Sequence, residues 1–165
     1  MASDSPLRMT LGNLETGESI TAQYNPTRVG IGVDAHFGQT KTPGATSEEM
    51  QFSHVGNVKP TFTLTFKARA PGAPDLLDIE AFLLSLIYPP QVVGGVTSGA
   101  PPLVLFSWPN WIMLVTRKPK FSQETTLWNK NGRPEEQTYK VELESQSTRR
   151  IGREAIRRSA FRRLQ

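Results

Sequence analysis

Few side chains in this sequence have types and spacings that suggest metal binding. His36 and His54 are eighteen positions apart, with Glu48 and Glu49 between them. Two histidines and one carboxylate form a known ligand set for iron. The sequence lacks the H-E-x-x-H spacing that places two histidines on one face of a helix, and both glutamates lie in a polar stretch. We therefore expect His36 and His54 to be surface residues, and we expect no metal or other cofactor.

A glycine pattern at residues 30–35 matches the dinucleotide-binding consensus G-x-G-x-x-G/A. That consensus binds a pyrophosphate only where a strand precedes it and a helix begins directly after it. Here Asn25-Pro26 precedes the pattern closely, and a stretch rich in Thr, Gly and Pro follows it. The pattern therefore predicts a glycine-containing strand rather than a nucleotide site.

Two pairs of glutamates are candidates for general acid–base chemistry, namely Glu135 with Glu136, and Glu142 with Glu144. In a strand, Glu142 and Glu144 share one face, while Val141 and Leu143 occupy the other. This alternation is typical of a strand with one face in solvent. The sequence contains no phosphate-binding loop and no nucleophile elbow. We therefore expect that the protein is not an enzyme.

The length and composition indicate one domain without covalent staples. A chain of 165 residues is long enough to bury its own core. It contains no cysteine, which excludes disulfides and thiolate metal sites. No apolar run reaches the roughly 18 residues of a membrane span, and the first residues lack the order of a signal peptide. We expect synthesis in the cytoplasm and no contact with a membrane.

The net charge of +4 is unevenly distributed along the chain. Residues 149–165 contain seven arginines and one glutamate, a balance of +6, which leaves a balance of −2 for residues 1–148. A mildly acidic body with a basic C-terminal segment is not the pattern of a general polyanion binder. Arginine without lysine favours bidentate contacts, with either carboxylates or phosphates.

Alternating apolar and polar residues predict seven or eight short strands separated by turns rich in Gly and Pro. The predicted strands are Leu7–Leu11, Ser19–Tyr24, Arg28–Phe37, Thr61–Lys67, Leu103–Phe106, Trp111–Val115, Phe121–Trp128 and Glu135–Leu143. Asn131-Gly132 predicts a hairpin between the last two, and Gln39–Glu49 and 91–102 are predicted to be loops.

Two helices are predicted. One is an amphipathic helix over Asp75–Ile87 with Asp75 as its N-cap, and the other is a basic C-terminal helix. The fold class is thus a β-rich α+β fold, with a β domain over residues 1–146 and a basic helix or tail over residues 147–165.

Three motifs, taken in order, resemble the tube proteins of contractile injection systems and contractile phage tails. Residues 22–27, Ala-Gln-Tyr-Asn-Pro-Thr, resemble the opening F-x-[FY]-N-P-[TS]-E of that family. Residues 101–108 resemble its segment h-P-P-x-h-x-F-x-W-G, and residues 131–134, Asn-Gly-Arg-Pro, resemble the turn before its last strand. The chain differs at Pro109, where the family often has Gly, at residues 135–137, which replace x-R-A, and in lacking a LysM module.

The resemblance implies a tail-tube fold, an antiparallel β-sandwich or barrel with one flanking helix. It implies a structural protein, a tube initiator or hub-to-tube adaptor, that forms a homo-oligomeric ring of six copies. The ring would stack on the spike or hub protein below and start the tube above. The protein would then be assembled into the baseplate and tail tube of a phage or phage-tail-like particle, as a virion component.

The basic segment is the predicted attachment to neighbouring baseplate proteins. We expect it to contact an acidic surface through Arg149, Arg150, Arg153, Arg157 and Arg158. The alternative function is a small β-barrel nucleic-acid-binding module that uses the same arginines. Such a module should place basic and aromatic residues on one strand face, whereas here the arginines gather after the strands. We therefore do not expect nucleic acid as the partner.

Overall fold

A computed structural model describes residues 7–40, 49–89 and 99–146. Within these ranges the chain forms nine β-strands and one α-helix. In chain order they are β1 (Thr10–Asn13), β2 (Ser19–Thr21), β3 (Val29–Gly32), β4 (Ala35–Thr40), β5 (Glu49–Val55), β6 (Lys59–Lys67), α1 (Leu76–Ser85), β7 (Val104–Trp108), β8 (Ile112–Trp128) and β9 (Pro134–Ser145). The basic segment 147–165 and most of both predicted loops lie outside the described residues.

Seven strands form one antiparallel sheet in the order β2-β1-β7-β8-β9-β6-β3, and β4 and β5 form a separate two-stranded ribbon. The expected β-rich α+β class is confirmed. The resemblance left a sandwich or a barrel open, and the described strands do not close into a barrel, because β2 and β3 end the sheet without pairing with each other. The reason is length: β2 has three residues, and β3 pairs only with the first part of β6, residues 59–62.

The seven-stranded sheet is strongly curled. The rings of Phe62 in β6 and Phe106 in β7 stack with their centroids 5.1 Å apart, although β9 and β8 lie between these two strands in the sheet. In a flat sheet the two strands would be about 14 Å apart. The sheet therefore folds over so that its inner face surrounds a core that is completed by α1.

Strand β6 shows how the sequence directs one face inward. Phe62, Leu64 and Phe66 are buried, and the threonines between them point to the other side. The same alternation runs along β9, where Tyr139, Val141 and Leu143 are buried. Because side chains alternate across a strand, the period-two pattern in the sequence predicts both faces correctly.

Helix α1 covers the open side of the core. The Asp75 side chain accepts a hydrogen bond from the Leu77 backbone N–H at 3.0 Å, as its predicted N-cap role requires. The helix buries Leu76, Ile79 and Leu83, which follow an i, i+3, i+7 spacing. Its C-cap residue, Leu86, is buried as well. The predicted helix and its buried stripe are thus confirmed.

Two adjacent leucines of α1 provide a matched test of this packing. Leu83 is 2% exposed and Leu84 is 44% exposed. We expect Leu83→Ala to lower the free energy of unfolding by about 2–5 kcal/mol, because it removes buried methyl groups and leaves a cavity. Leu84→Ala should change it by less than about 1 kcal/mol. Urea denaturation measures both, and equal losses would contradict the assigned burial.

Candidate assembly surfaces

The ribbon β4–β5 stands apart from the sheet. Val33 and Asp34 connect it to the edge strand β3, and its two strands pair antiparallel with a bulge between His36 and Phe37. Neither strand joins the ladder of the main sheet. An isolated two-stranded ribbon is marginally stable in water. A partner that buried one of its exposed faces would therefore stabilise it.

The two faces of the ribbon differ in polarity. Register places Ala35 beside Val55, Phe37 beside Phe52, and Gln39 beside Met50. The apolar members of this ribbon face are all more than half exposed, namely Phe37 (54%), Met50 (66%), Phe52 (59%) and Val55 (60%). The opposite face carries the register pairs His36 with His54 and Gly38 with Gln51. The ribbon is therefore amphipathic, with its apolar side in solvent.

The two histidines meet at the base of the ribbon. His36 pairs with His54 across the strands, and their rings stack at 4.6 Å. The Ser53 hydroxyl lies 3.0 Å from Nδ1 of His54. They are surface residues, as expected, although their spacing in the sequence does not indicate that they are neighbours. Among the residues that the structure describes, no group of three or more His, Cys, Asp or Glu side chains is arranged to hold a metal ion.

A second exposed apolar area lies on the outer face of the main sheet. Leu105 in β7 pairs with Val115 in β8 on one side and with Gly12 in β1 on the other. Met113 lies one row away and is 67% exposed, and Val115 is 41% exposed. We call Gly12, Leu105, Met113 and Val115 the outer patch. Beside Gly12 the row ends at Ser19 in β2.

The outer face along β6 and the middle of β9 is polar. On β9 the Glu142 carboxylate lies 3.6 Å from the Lys120 ammonium and 3.8 Å from that of Lys140. Glu144 accepts a hydrogen bond from the Asn57 side chain at 2.9 Å. Glu142 and Glu144 thus share the outer face of β9, as expected. Glu142 has an ion pair with Lys120 of β8, and Glu144 bonds to the connection between β5 and β6.

The other glutamate pair is divided between the two faces of the sheet. The Glu136 carboxylate lies 3.1 Å from the Lys67 ammonium. Glu135 is buried, and its carboxylate pairs with Arg69. Nη2 of Arg69 lies 3.0 Å from Oε1 and 2.8 Å from Oε2 of Glu135. Adjacent residues of a strand point in opposite directions, so these two carboxylates do not share a site.

The glycine pattern at residues 30–35 lies in β3 and at the start of β4. A strand follows it, and no helix begins there, so the feature that binds a pyrophosphate is missing at this position. The prediction of a glycine-containing strand is confirmed.

The tryptophans fall into two groups. Trp108 and Trp111 pack edge to face with their rings 5.4 Å apart, at the turn between β7 and β8. Trp108 also packs against the core. Trp128 lies at the far end of β8 and is 59% exposed.

Two residues of the first motif, Gln23 and Asn25, hydrogen-bond through their side chains to the backbone of other segments. The Gln23 amide donates to the Lys67 carbonyl oxygen at 3.0 Å and accepts from the Lys67 N–H at 2.6 Å. The Asn25 amide accepts from the Met9 N–H at 3.0 Å and donates to the Leu7 carbonyl oxygen at 2.9 Å. Each side chain thus takes the place of a strand partner, which explains the residue types at these positions.

The phenol of Tyr139 has a raised pKa. Burial in the core raises the pKa of its phenol above the usual value, and the nearby Glu80 carboxylate raises it further. The hydroxyl donates to Oε1 of Gln137 at 2.8 Å. Tyr139 is 2% exposed beneath α1, so its environment is that of a core residue and not of an open cleft.

The arginines predicted to bind a partner, residues 149–158, lie outside the described residues. No helix in the described part of the chain is both long and apolar enough to cross a membrane. A scan against protein-family models finds no match for this chain, and neither does a search of curated proteins. The candidate surfaces are thus identified from the structure alone, and they are the ribbon face, the outer patch and the two sheet edges.

Two glycines of the ribbon region allow a matched test of its base. A Cβ at Gly56 would lie 3.1 Å from the Asp34 carbonyl oxygen and from Nε2 of His36, whereas a Cβ at Gly38 would meet nothing within 4 Å. We expect Gly56→Ala to destabilise the ribbon by about 1–3 kcal/mol through overpacking. Gly38→Ala should be neutral or slightly stabilising. Hydrogen exchange at the Phe37 and Phe52 amides measures the difference, and equal protection would refute the close contact.

Tyr139 predicts a loss of stability in alkali. Above pH 10 the phenol ionises in the unfolded chain but stays protonated in the folded one, so the free energy of unfolding falls as pH rises. The loss should be on the order of 1 kcal/mol by pH 11. Denaturation between pH 8 and pH 11 measures it, with Tyr139→Phe as the control that should not show this part of the loss. Identical slopes for the two proteins would contradict the prediction.

Proposed function

We propose that this protein is a structural ring subunit, a tube initiator or hub-to-tube adaptor, in the baseplate and tube of a phage tail or phage-tail-like particle. The observation that carries the proposal is that, among the strands the structure describes, β2 and β3 end the curled sheet and each pairs with one neighbour only. An open edge offers unpaired N–H and C=O groups to another strand. Two different edges on one chain allow head-to-tail addition of copies, which gives a closed ring when the rotation closes.

The composition of the edges supports pairing. Isolated edge strands are usually protected by lysine, proline or a bulge. Strand β3 reads Val-Gly-Ile-Gly and β2 reads Ser-Ile-Thr, without charge or proline. Just before and just after β6, the Val58 carbonyl and the Ala68 N–H bond to β9, while the Lys67 N–H at the end of β6 bonds to Gln23 on the opposite side. By this alternation the amides of Val29 and Ile31 point away from the sheet, toward a neighbouring copy.

The polar half of the outer face suits a water-filled lumen. Thr61, Thr63 and Thr65 lie on it beside Lys140 and Glu142 of β9. Because the lysines of this face lie beside glutamates, it does not form the basic track that nucleic-acid binding requires. This distribution favours the ring subunit over the nucleic-acid-binding alternative.

The remaining partners follow from the proposed position in the particle. The ring would lie between the spike or hub and the first tube ring. The arginines of segment 149–165, including Arg149, Arg150, Arg153, Arg157 and Arg158, would bind an acidic surface of a neighbouring baseplate protein through bidentate contacts. Imaging of the full-length protein by negative-stain microscopy, alone and co-produced with its hub and tube proteins, tests the proposal. Sixfold rings are expected, and monomers under both conditions would refute it.

The edge strand offers a direct test of assembly. We expect Ile31→Pro to leave the monomer folded, because the amide it removes points outward, and to prevent strand addition at that edge. Ile31→Val keeps the amide and serves as the control. Sedimentation measures the assembly state and circular dichroism the fold. Normal rings from Ile31→Pro would contradict pairing through β3.

A further inference from the structure

The ribbon face and the outer patch are two exposed apolar surfaces on opposite parts of one chain. The ribbon face consists of Phe37, Met50, Phe52 and Val55, and the outer patch of Gly12, Leu105, Met113 and Val115. Large exposed apolar patches mark sites of protein association. We propose that the ribbon face of one copy docks on the outer patch of the next copy in the ring. This inference rests on the edge-to-edge ring of the proposed function.

Sheet order places the two surfaces at the same junction. Strand β3 ends the sheet on one side, and only two residues separate it from the ribbon. If β3 of one copy pairs with β2 of the next, the strands that follow are β1, β7 and β8 of that neighbour. The outer patch lies on these three strands. The inner face of the neighbour is filled by its own core, so only the outer face can receive the ribbon.

The length of the ribbon matches the distance to the patch. Strand β4 has six residues and β5 has seven, which at about 3.3 Å per residue gives a ribbon of about 20 Å. With strands about 4.8 Å apart, β1, β7 and β8 of the neighbour lie about 10, 14 and 19 Å beyond β3. The ribbon therefore reaches every strand of the patch.

The shapes of the two surfaces are complementary. The rings of Phe37 and Phe52 pack edge to face at 5.9 Å and form a ridge on the ribbon. On the patch, Gly12 lies between Ser19 and Leu105 with no side chain of its own. A Cβ there would come no closer than 3.8 Å to any atom of its own chain, so the fold of the single chain does not require glycine. Glycine inside a strand often marks the close approach of another chain.

A second copy is the partner that covers both surfaces. The ribbon face and the outer patch differ, so a head-to-tail arrangement buries one of each at every junction. A foreign protein seated on the ribbon would leave the patch in solvent in every copy. Identical copies repeat the same junction around the ring.

Complementation between two defective variants tests the pairing. Phe37→Ser with Phe52→Ser removes the ridge, and Met113→Glu places a charge in the patch. Each variant alone should need at least a tenfold higher concentration than wild type to assemble. The first loses the apolar burial of two Phe side chains, and the second would bury an unpaired carboxylate in the contact. An equimolar mixture retains one intact ribbon and one intact patch, so it should form pairs at concentrations where neither variant associates. Sedimentation velocity distinguishes these states.

Three further variants control for folding and position. Gly12→Val fills the hollow without adding charge and should weaken assembly while leaving the melting temperature of the monomer unchanged. Gln51→Ser on the polar ribbon face and Trp128→Glu at the far end of β8 should assemble like wild type. Because the chain has no cysteine, Gln39→Cys and Ser107→Cys in separate chains should form one disulfide-linked pair under oxidation.

Each outcome decides between the two proposals. Weak assembly of both variants with pairing in the mixture supports docking of the ribbon on the patch. Normal assembly of Met113→Glu and Gly12→Val overturns the patch as the docking site, whatever the ribbon variant does. If wild type and all variants form normal rings, this inference is overturned, but the proposal of a ring subunit is not. Wild type that stays monomeric, alone and with its tube and hub proteins, overturns both.

Discussion

Stacking of Phe62 on Phe106 links two strands that are separated by two others in the same sheet. Contact between these rings requires the sheet to curl, and the curl divides every strand into a core side and an outer side. Helix α1 then has a concave surface to cover, and Leu83 and its neighbours seal it. The short edge strands remain at the two ends because the curl stops before they meet. The core, the open edges and the outer patch all depend on this one packing arrangement.

Much of the fold could be predicted from local periodicity. The buried rows of β6 and β9 and the stripe of α1 follow from spacings of two and of three to four residues. Closure could not be predicted, because it depends on how far edge strands such as β2 extend and on whether their ends meet. The single predicted strand Arg28–Phe37 is in fact two strands, separated by Val33 and Asp34.

The ribbon was missed for a related reason. Met50, Gln51 and Phe52 alternate as a strand should, but a local pattern does not tell a buried apolar face from an exposed one. The pairing of His36 with His54 depends on the register of two strands across a connection, and nothing in their spacing indicates it. The motif residues Gln23 and Asn25 bond to backbone groups of their own chain. Their residue types therefore reflect what the fold requires and do not identify a partner.

The pairing of β1 has a consequence for synthesis on the ribosome. Thr10 pairs with Ser107, more than ninety residues later in the chain. At roughly 5–20 residues per second, β1 waits on the order of 5–20 s before its β7 partner exists. During that time the three-residue β2 is the only one of its two strand partners that has been synthesised. The nascent protein therefore has a defined interval of exposure, which ends only when β7 leaves the ribosome, and it is then that chaperones should bind it most strongly.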